Sequence, residues 1–227
     1  MATNTAALKT FAQQTRSKLL SLIGTKMDFV LTQDNAELRG YEAQIGKLKE
    51  AVDAKLKEVD EKSKNPMADA RKLVAEEVAY TWFNRVMALR FMDANGYNTP
   101  MVVTAAAGQM RPELLQDAMA GSVDEDLRIT SDDLMLPEAQ LYRRLLVAVC
   151  NRMGETMPFL FEHICDYTEL LLPDDLLSDQ SFVSDIRKGM TDEDCENVEI
   201  VGWLYQYYIS SENERLFSPK NVIIVMN

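Results

Sequence analysis

Ala79-Tyr-Thr-Trp-Phe-Asn-Arg-Val-Met-Ala-Leu-Arg-Phe-Met-Asp-Ala-Asn-Gly-Tyr97 is apolar over far more than one stripe of a helix. A helix of this kind cannot face water on its own and must be covered by other elements. Arg90 sits inside its apolar arc, so the guanidinium needs a partner. Asn95-Gly96 is a helix stop, because glycine accepts the left-handed conformation that closes a helix.

The same 3.6-residue period runs through most of the chain on either side. Ala6 to Ile23 carries Leu8, Phe11, Leu19, Leu20 and Ile23 against Arg16 and Lys18 on the other face. Leu38, Tyr41, Ile45, Leu48, Val52 and Val59 follow a 3–4 alternation, with Lys55 breaking the seam. That predicts a long amphipathic helix ending near Ser63-Lys-Asn-Pro66, either as a hairpin packed on the body or as a dimerising coiled coil. Thr99 to Asp133 is less regular: Pro100-Met-Val-Val-Thr104 reads as a short strand or extended loop, and Pro112 opens a short helix that Gly121 ends. Glu138 to Met153 is a clear helix. Thr156 with Pro158 predicts another, and Ser181 to Lys188 a short one. Thr191-Asp-Glu-Asp caps the next segment, because acidic side chains favour a helix N-terminus. Val198 to Ile209 is a second aromatic helix, with only Glu199, Gly202 and Gln206 in a polar stripe. It is expected in the core, packed directly on the Trp82 helix. The final Val222-Ile-Ile-Val-Met226 has β-like composition. The expected fold class is therefore all-α: a multi-helix bundle with one long amphipathic helix near the N-terminus and little or no β. The organisation expected is a hairpin or arm over 1–66, a helical core over 67–212 and a tail over 213–227.

Composition limits the function classes. The 227 residues carry 47% hydrophobic and 26% charged side chains, ordinary for a globular protein. No apolar run is long enough to span a bilayer, and no signal peptide is read, so a cytoplasmic protein without a membrane partner is expected. Cys150, Cys165 and Cys195 are odd in number and lack a C-x-x-C spacing, which suggests reduced structural thiols. The net charge of −12 is uneven. Residues 1–90 hold 15 of the 24 basic and 12 of the 36 acidic residues; the remainder holds 9 and 24. A half with a net charge of −15 repels phosphate backbones, so any DNA contact is expected from residues 1–90.

The lone histidine, His163, has no nucleophile motif beside it, and a structural role is expected of it. Every one of the 9 glycines is isolated, and neither G-x-G nor a P-loop pattern occurs, so neither type of nucleotide cradle is present. No catalytic, cofactor-binding or metal residue is expected in this chain. The residues left as candidates for a domain interface or a DNA contact are Arg85, Arg90, Tyr97, Trp203 and Tyr207.

Three blocks together resemble the PglX-type adenine-specific DNA methyltransferases of BREX phage-defence systems: Ala79 to Tyr97; Met157-Pro-Phe-Leu-Phe-Glu162 with Tyr167-Thr-Glu-Leu-Leu-Leu-Pro-Asp-Asp-Leu-Leu177; and Val198 to Ser210. The opening Leu8-Lys-Thr-Phe-Ala-Gln-Gln-Thr-Arg-Ser-Lys-Leu19 is also similar. Their order matches the N-terminal region of that family. The resemblance implies S-adenosylmethionine-dependent methylation of the adenine amine in the full-length family. It further implies a catalytic domain, lying after these blocks, with a glycine-containing cofactor motif and an Asn-Pro-Pro-aromatic motif that receives the flipped base. Neither motif is found here, and Asn65-Pro66-Met67 lacks the second proline and the aromatic. The resemblance therefore carries over no catalytic or cofactor residue. Leu216-Phe-Ser-Pro219 is similar to the segment by which family members enter the methyltransferase domain. A non-catalytic scaffold is expected, with the methyltransferase domain and other defence-system proteins as partners. The alternatives are a free-standing acidic regulator or DNA mimic, and a coiled-coil dimerisation module.

Overall fold

The computed structural model describes residues 5–32, 38–158, 160–162 and 166–216. Ten α-helices and no strand are present among them. His163, Cys165, Phe217 to Pro219 and the apolar run 222–226 lie outside the described residues.

The quoted stretch lies in α3, Pro66–Ala94, and this helix is the axis of the molecule. Asn65 caps its start by accepting from the Ala68 amide, with Pro66 at the first helical position, where the missing N–H costs nothing. Its end is a Schellman turn: Gly96, at φ 70°, donates to the Asp93 carbonyl and Tyr97 to the Met92 carbonyl. Residues 82–90 are buried without interruption, so the helix is covered on all sides. Full burial of Phe83, Met87 or Leu89 contributes about 1.5–3 kcal/mol each.

The cover comes from α1 (Thr5–Thr32), α2 (Glu42–Leu56), α8 (Phe182–Gly189), α9 (Asp192–Cys195) and α10 (Glu199–Leu216). From α1, Leu8, Ala12, Leu19, Ile23 and Met27 face inward at helical spacing. Where α1 crosses α8, Gly189 presses on the ring of Phe11. A Cβ at Gly189 would lie 2.3 Å from the Phe11 ring, so the crossing needs glycine.

The 3–4 pattern of the second segment produces a helix of 15 residues, shorter than the predicted run from Leu38 to Ser63. Its seam residues Leu48 and Val52 are buried and α2 packs on α3 within the chain. A second layer is built on α6, Glu138–Gly154, which packs against α4 (Glu113–Met119), α5 (Ser131–Leu134) and a 3₁₀ turn at Glu125–Leu127. Thr130 and Asp133 form a capping box at α5, and Thr191 and Asp194 form another at α9.

Of the two readings of Pro100 to Thr104, the loop is the one observed, and the amides of Val102 to Thr104 are taken up by the Asp93 carboxylate. One local expectation is corrected. No helix starts at Thr156 among the described residues; Leu160 and Phe161 both donate to the Met157 carbonyl, which closes a turn. Helix appears in this stretch only later, as the short α7, Tyr167–Leu170, which Asp166 caps.

The second aromatic helix, α10, does pack directly on α3. Tyr208 meets Phe83 at 4.6 Å and Tyr80 at 5.6 Å between ring centroids. It is nonetheless an outer helix and not a central one. Ile200, Leu204 and Tyr208 are buried at spacings of four, whereas Gly202, Tyr205 and Gln206 face outward.

The opposed charges of the two halves meet in the fold. Lys18 pairs with Asp185 at 2.6 Å and Lys26 pairs with Asp174, so α1 neutralises part of the acidic 173–188 region. No helix of the described residues is long and apolar enough to cross a membrane.

Candidate functional site

Arg85 and Arg90 are five residues apart on α3, which turns them to different sides of the helix. Arg90 is 5% exposed and saturated with acceptors. Its Nε donates to the Met190 carbonyl at 2.9 Å, Nη1 to Thr104 Oγ1 at 3.2 Å, and Nη2 to Asp192 Oδ1. The expectation that it needs a partner inside the apolar arc is met by three, two of them from the α8–α9 junction about 100 positions away.

One turn further on, Asp93 does the complementary work. It is 4% exposed, and its carboxylate accepts four hydrogen bonds. Oδ1 takes Asn98 Nδ2 at 2.7 Å and the Val102 amide at 2.9 Å; Oδ2 takes the Val103 and Thr104 amides at 2.8 and 2.9 Å. Tyr142 of α6 donates to the Val102 carbonyl at 3.1 Å, which ties the same loop to the second layer. Asp93 was missed by the sequence reading, although a signal existed. An acidic side chain in the last turn of a helix opposes the helix dipole and needs donors from elsewhere.

Arg85 is 3% exposed but mostly unpaired. Nη2 donates to the Glu162 carbonyl at 2.6 Å, and the guanidinium lies 5.7 Å from the Trp82 ring centre. Nε and Nη1 have no hydrogen-bond partner among the described residues. Burial pushes the guanidinium below its ordinary pKa, against the pull of Cys150, Glu162 and Asp166. The neighbouring Cys150 thiol is pushed up to about 12 by burial, with Arg85 pulling the other way. Arg85 opens onto a cleft of about 230 Å³ bounded by Glu77, Thr81, Glu162, Asp166, Tyr167 and Thr168. Trp82 braces the wall by donating its indole N–H to the Thr168 carbonyl at 2.9 Å.

The other candidates lie apart. Tyr97 follows the helix stop, 68% exposed, with its ring 6.5 Å from Phe91 in the apolar contact that accompanies a Schellman turn. Trp203 and Tyr207 are half-buried on α10. The structure therefore does not gather the five candidate residues into one site. Cys150 and Cys195 are buried free thiols. No group of three potential metal-ligating side chains occurs among the described residues.

No family model matches the chain. Among known proteins it is similar to the adenine-specific methyltransferase BrxX of Escherichia coli O9:H4 (strain HS), 33% identical over 163 residues, 63% of this chain and 12% of that protein. It is also similar to the adenine-specific methyltransferase PglX of Lacticaseibacillus casei (strain Zhang), 31% identical over 253 aligned positions, 96% of this chain and 20% of that protein. The chain thus spans a fifth or less of the length of these relatives.

Proposed function

We propose that this chain, a PglX/BrxX-like methyltransferase region by its likeness to both relatives, is a non-catalytic helical scaffold. In this reading it serves an adenine-specific DNA methyltransferase of a phage-defence system. The observation that carries the reading is the alignment of 96% of the chain with a fifth of the PglX relative. The most polar buried groups of α3 fit a structural role, because Arg90 and Asp93 spend their hydrogen bonds on the chain's own loops. By this proposal the methyltransferase domain packs against the scaffold, with Trp203 and Tyr207 on α10 as candidates for the contact. S-adenosylmethionine is bound by that domain and not by this chain. Other defence-system proteins are further partners, and DNA is met either indirectly or through the lysine-bearing residues 1–90. Lys47, Lys49 and Lys57 are exposed on α2 and the turn after it and are available for such contact.

The test is direct. The purified chain should bind no S-adenosylmethionine by calorimetry and transfer no tritiated methyl group to adenine in DNA. Turnover by the chain alone would sink the scaffold reading. In a full-length relative, replacing the residues that align with Trp203 and Tyr207 by serine should lower adenine methylation and loosen the domain contact to limited proteolysis.

A further inference from the structure

We infer that the outer end of α3 is a docking surface for an arginine-bearing peptide segment of a protein partner. The arginine lies over the Tyr97 ring with its charge met by Glu193, Glu196 and Glu199, and an apolar neighbour rests on Phe91 and Val198. The inference does not rest on the methyltransferase reading.

Tyr97, 68% exposed, and Val198, 69% exposed, are among the most exposed large apolar side chains of the described residues. They belong to segments that one hydrogen bond holds together. Asn95 Nδ2 donates to the Cys195 carbonyl at 3.0 Å; Tyr97 follows Asn95 by two residues and Val198 follows Cys195 by three. Phe91, half-buried, extends the same surface, with its ring 6.5 Å from that of Tyr97.

The frame under Tyr97 is fixed. Its amide donates to the Met92 carbonyl and that of Gly96 to the Asp93 carbonyl, while the Asp93 side chain is locked to the following loop. An exposed aromatic on a fixed frame has little freedom left to lose on binding. Tyrosine is also among the residue types on which interface energy concentrates.

Charge selects the partner. Thr191 to Glu199 holds five acidic residues and no basic one. Asp192 is engaged with Arg90, and Asp194 closes its capping box with Thr191. Glu193, Glu196 and Glu199 are exposed and have no ion pair among the described residues. Other carboxylates of the acidic half are treated differently: Asp133, Glu138, Asp174 and Asp185 are each met by an arginine or lysine of the chain itself. The surface is therefore aromatic and apolar at its centre and negative at its rim. It repels a phosphate backbone and attracts a cation. A guanidinium suits it better than an ammonium, because its plane stacks on an aromatic face while its N–H fork reaches carboxylates beside the ring.

The test is an NMR titration of the isotopically labelled chain, read at the amides of Gly96, Tyr97, Asn197 and Val198. The probes are the peptide acetyl-Gly-Leu-Arg-Gly-amide, the same peptide with uncharged citrulline for arginine, and a short DNA duplex. The arginine peptide should move these resonances saturably, and the citrulline peptide should bind about three- to thirtyfold more weakly. Tyr97→Ala should weaken the arginine peptide about two- to fivefold, Tyr97→Phe should leave it unchanged, and Glu196→Gln should weaken it. Asp126→Asn, in the 3₁₀ turn of the second layer, should have no effect. Equal binding of the citrulline peptide, movement of these amides by the duplex, or no movement by the arginine peptide in a folded chain would each overturn the inference. Equal weakening by Asp126→Asn and Glu196→Gln would overturn it too, since that is diffuse attraction to an acidic chain.

Discussion

Arg90 and Asp93, one turn apart on α3, hold the same residue from two sides: Arg90 Nη1 donates to the Thr104 hydroxyl at 3.2 Å while Asp93 Oδ2 accepts the Thr104 amide at 2.9 Å. The pair turns the last turns of the central helix into a clamp. Asp93 fixes the loop from Asn98 to Thr104, and Arg90 fixes that loop to the α8–α9 junction at Met190 and Asp192. Without the clamp, three consecutive amides, Val102 to Thr104, would lose their acceptor in a region where Val102 and Val103 are buried.

Asp93→Asn tests the anionic half of the clamp. One amide oxygen would replace two carboxylate oxygens, and the new NH₂ would face the N–H groups of two backbone amides. Hydrogen bonds to a charged acceptor are worth about 1.5–3 kcal/mol each, and part of the set survives, so a loss of about 2–4 kcal/mol is expected. Thermal unfolding should show a midpoint lower by about 5–12 °C. An unchanged midpoint would contradict the clamp.

The cationic half is asymmetric. Asp192 is 82% exposed while Arg90 is buried, so the ion pair itself is screened and contributes under about 1 kcal/mol. Asp192→Asn should therefore be nearly silent. Arg90→Leu leaves the buried Met190 carbonyl unmet and should cost about 1–3 kcal/mol in urea unfolding. Equal costs for the two variants would place the stability in the ion pair instead.

At the α1–α8 crossing, Gly189→Ala forces a methyl group into the Phe11 ring. The expected cost is about 1–3 kcal/mol, the range for inserting a carbon into a packed interior. In a Phe11→Ala background the same substitution should cost almost nothing. A double-mutant cycle in chemical denaturation reads the coupling directly, and additive costs would show that the contact is not the cause.

High pH should unfold the protein from its interior. Burial raises the Cys150 thiol from about 9 to about 12, and burial together with the Tyr205 hydrogen bond raises Tyr80 from about 10 to about 12. Tyr142 is raised further by burial. In each case the unfolded chain releases its proton first, so the native state binds more protons above pH 9 and stability falls as pH rises. The contribution is intact below about pH 9 and is lost progressively towards pH 12. Stability against urea should be level from pH 7 to 9 and decline beyond, less steeply in Cys150→Ala. At pH 8 the Cys150 peptide should stay unmodified by iodoacetamide until the chain is unfolded.

Much of the fold was legible from short-range chemistry. The stop of α3 at Asn95-Gly96, the Thr191 cap and the course of α6 all depend on groups within a few residues of one another. The readings that missed have a common cause. Thr156 and Pro158 have the residue types of a helix start, yet Leu160 and Phe161 close a turn on Met157. The circumference of α10 is apolar in sequence, but only the Ile200, Leu204 and Tyr208 side is covered among the described residues. The candidate residues fared likewise. Arg90 was singled out correctly as a buried cation in need of partners, whereas Asp93 was passed over because its donors at Val102 to Thr104 lie beyond the helix stop.

The sequence by itself determined that the chain is helical, where the Trp82 helix stops and where α6 runs, that the Trp82 helix must be enclosed, and which family of proteins it resembles. Those are consequences of i to i+4 hydrogen bonding, capping and periodicity, all confined to neighbouring residues. Only the tertiary structure decided what encloses that helix and how its two arginines differ. Arg85 and Arg90 are both buried on one helix but on different sides of it. Arg90 faces the α8–α9 junction and finds three acceptors, while Arg85 faces a cleft and finds one. That difference is set by segments up to about 100 positions away, whose packing no local pattern encodes.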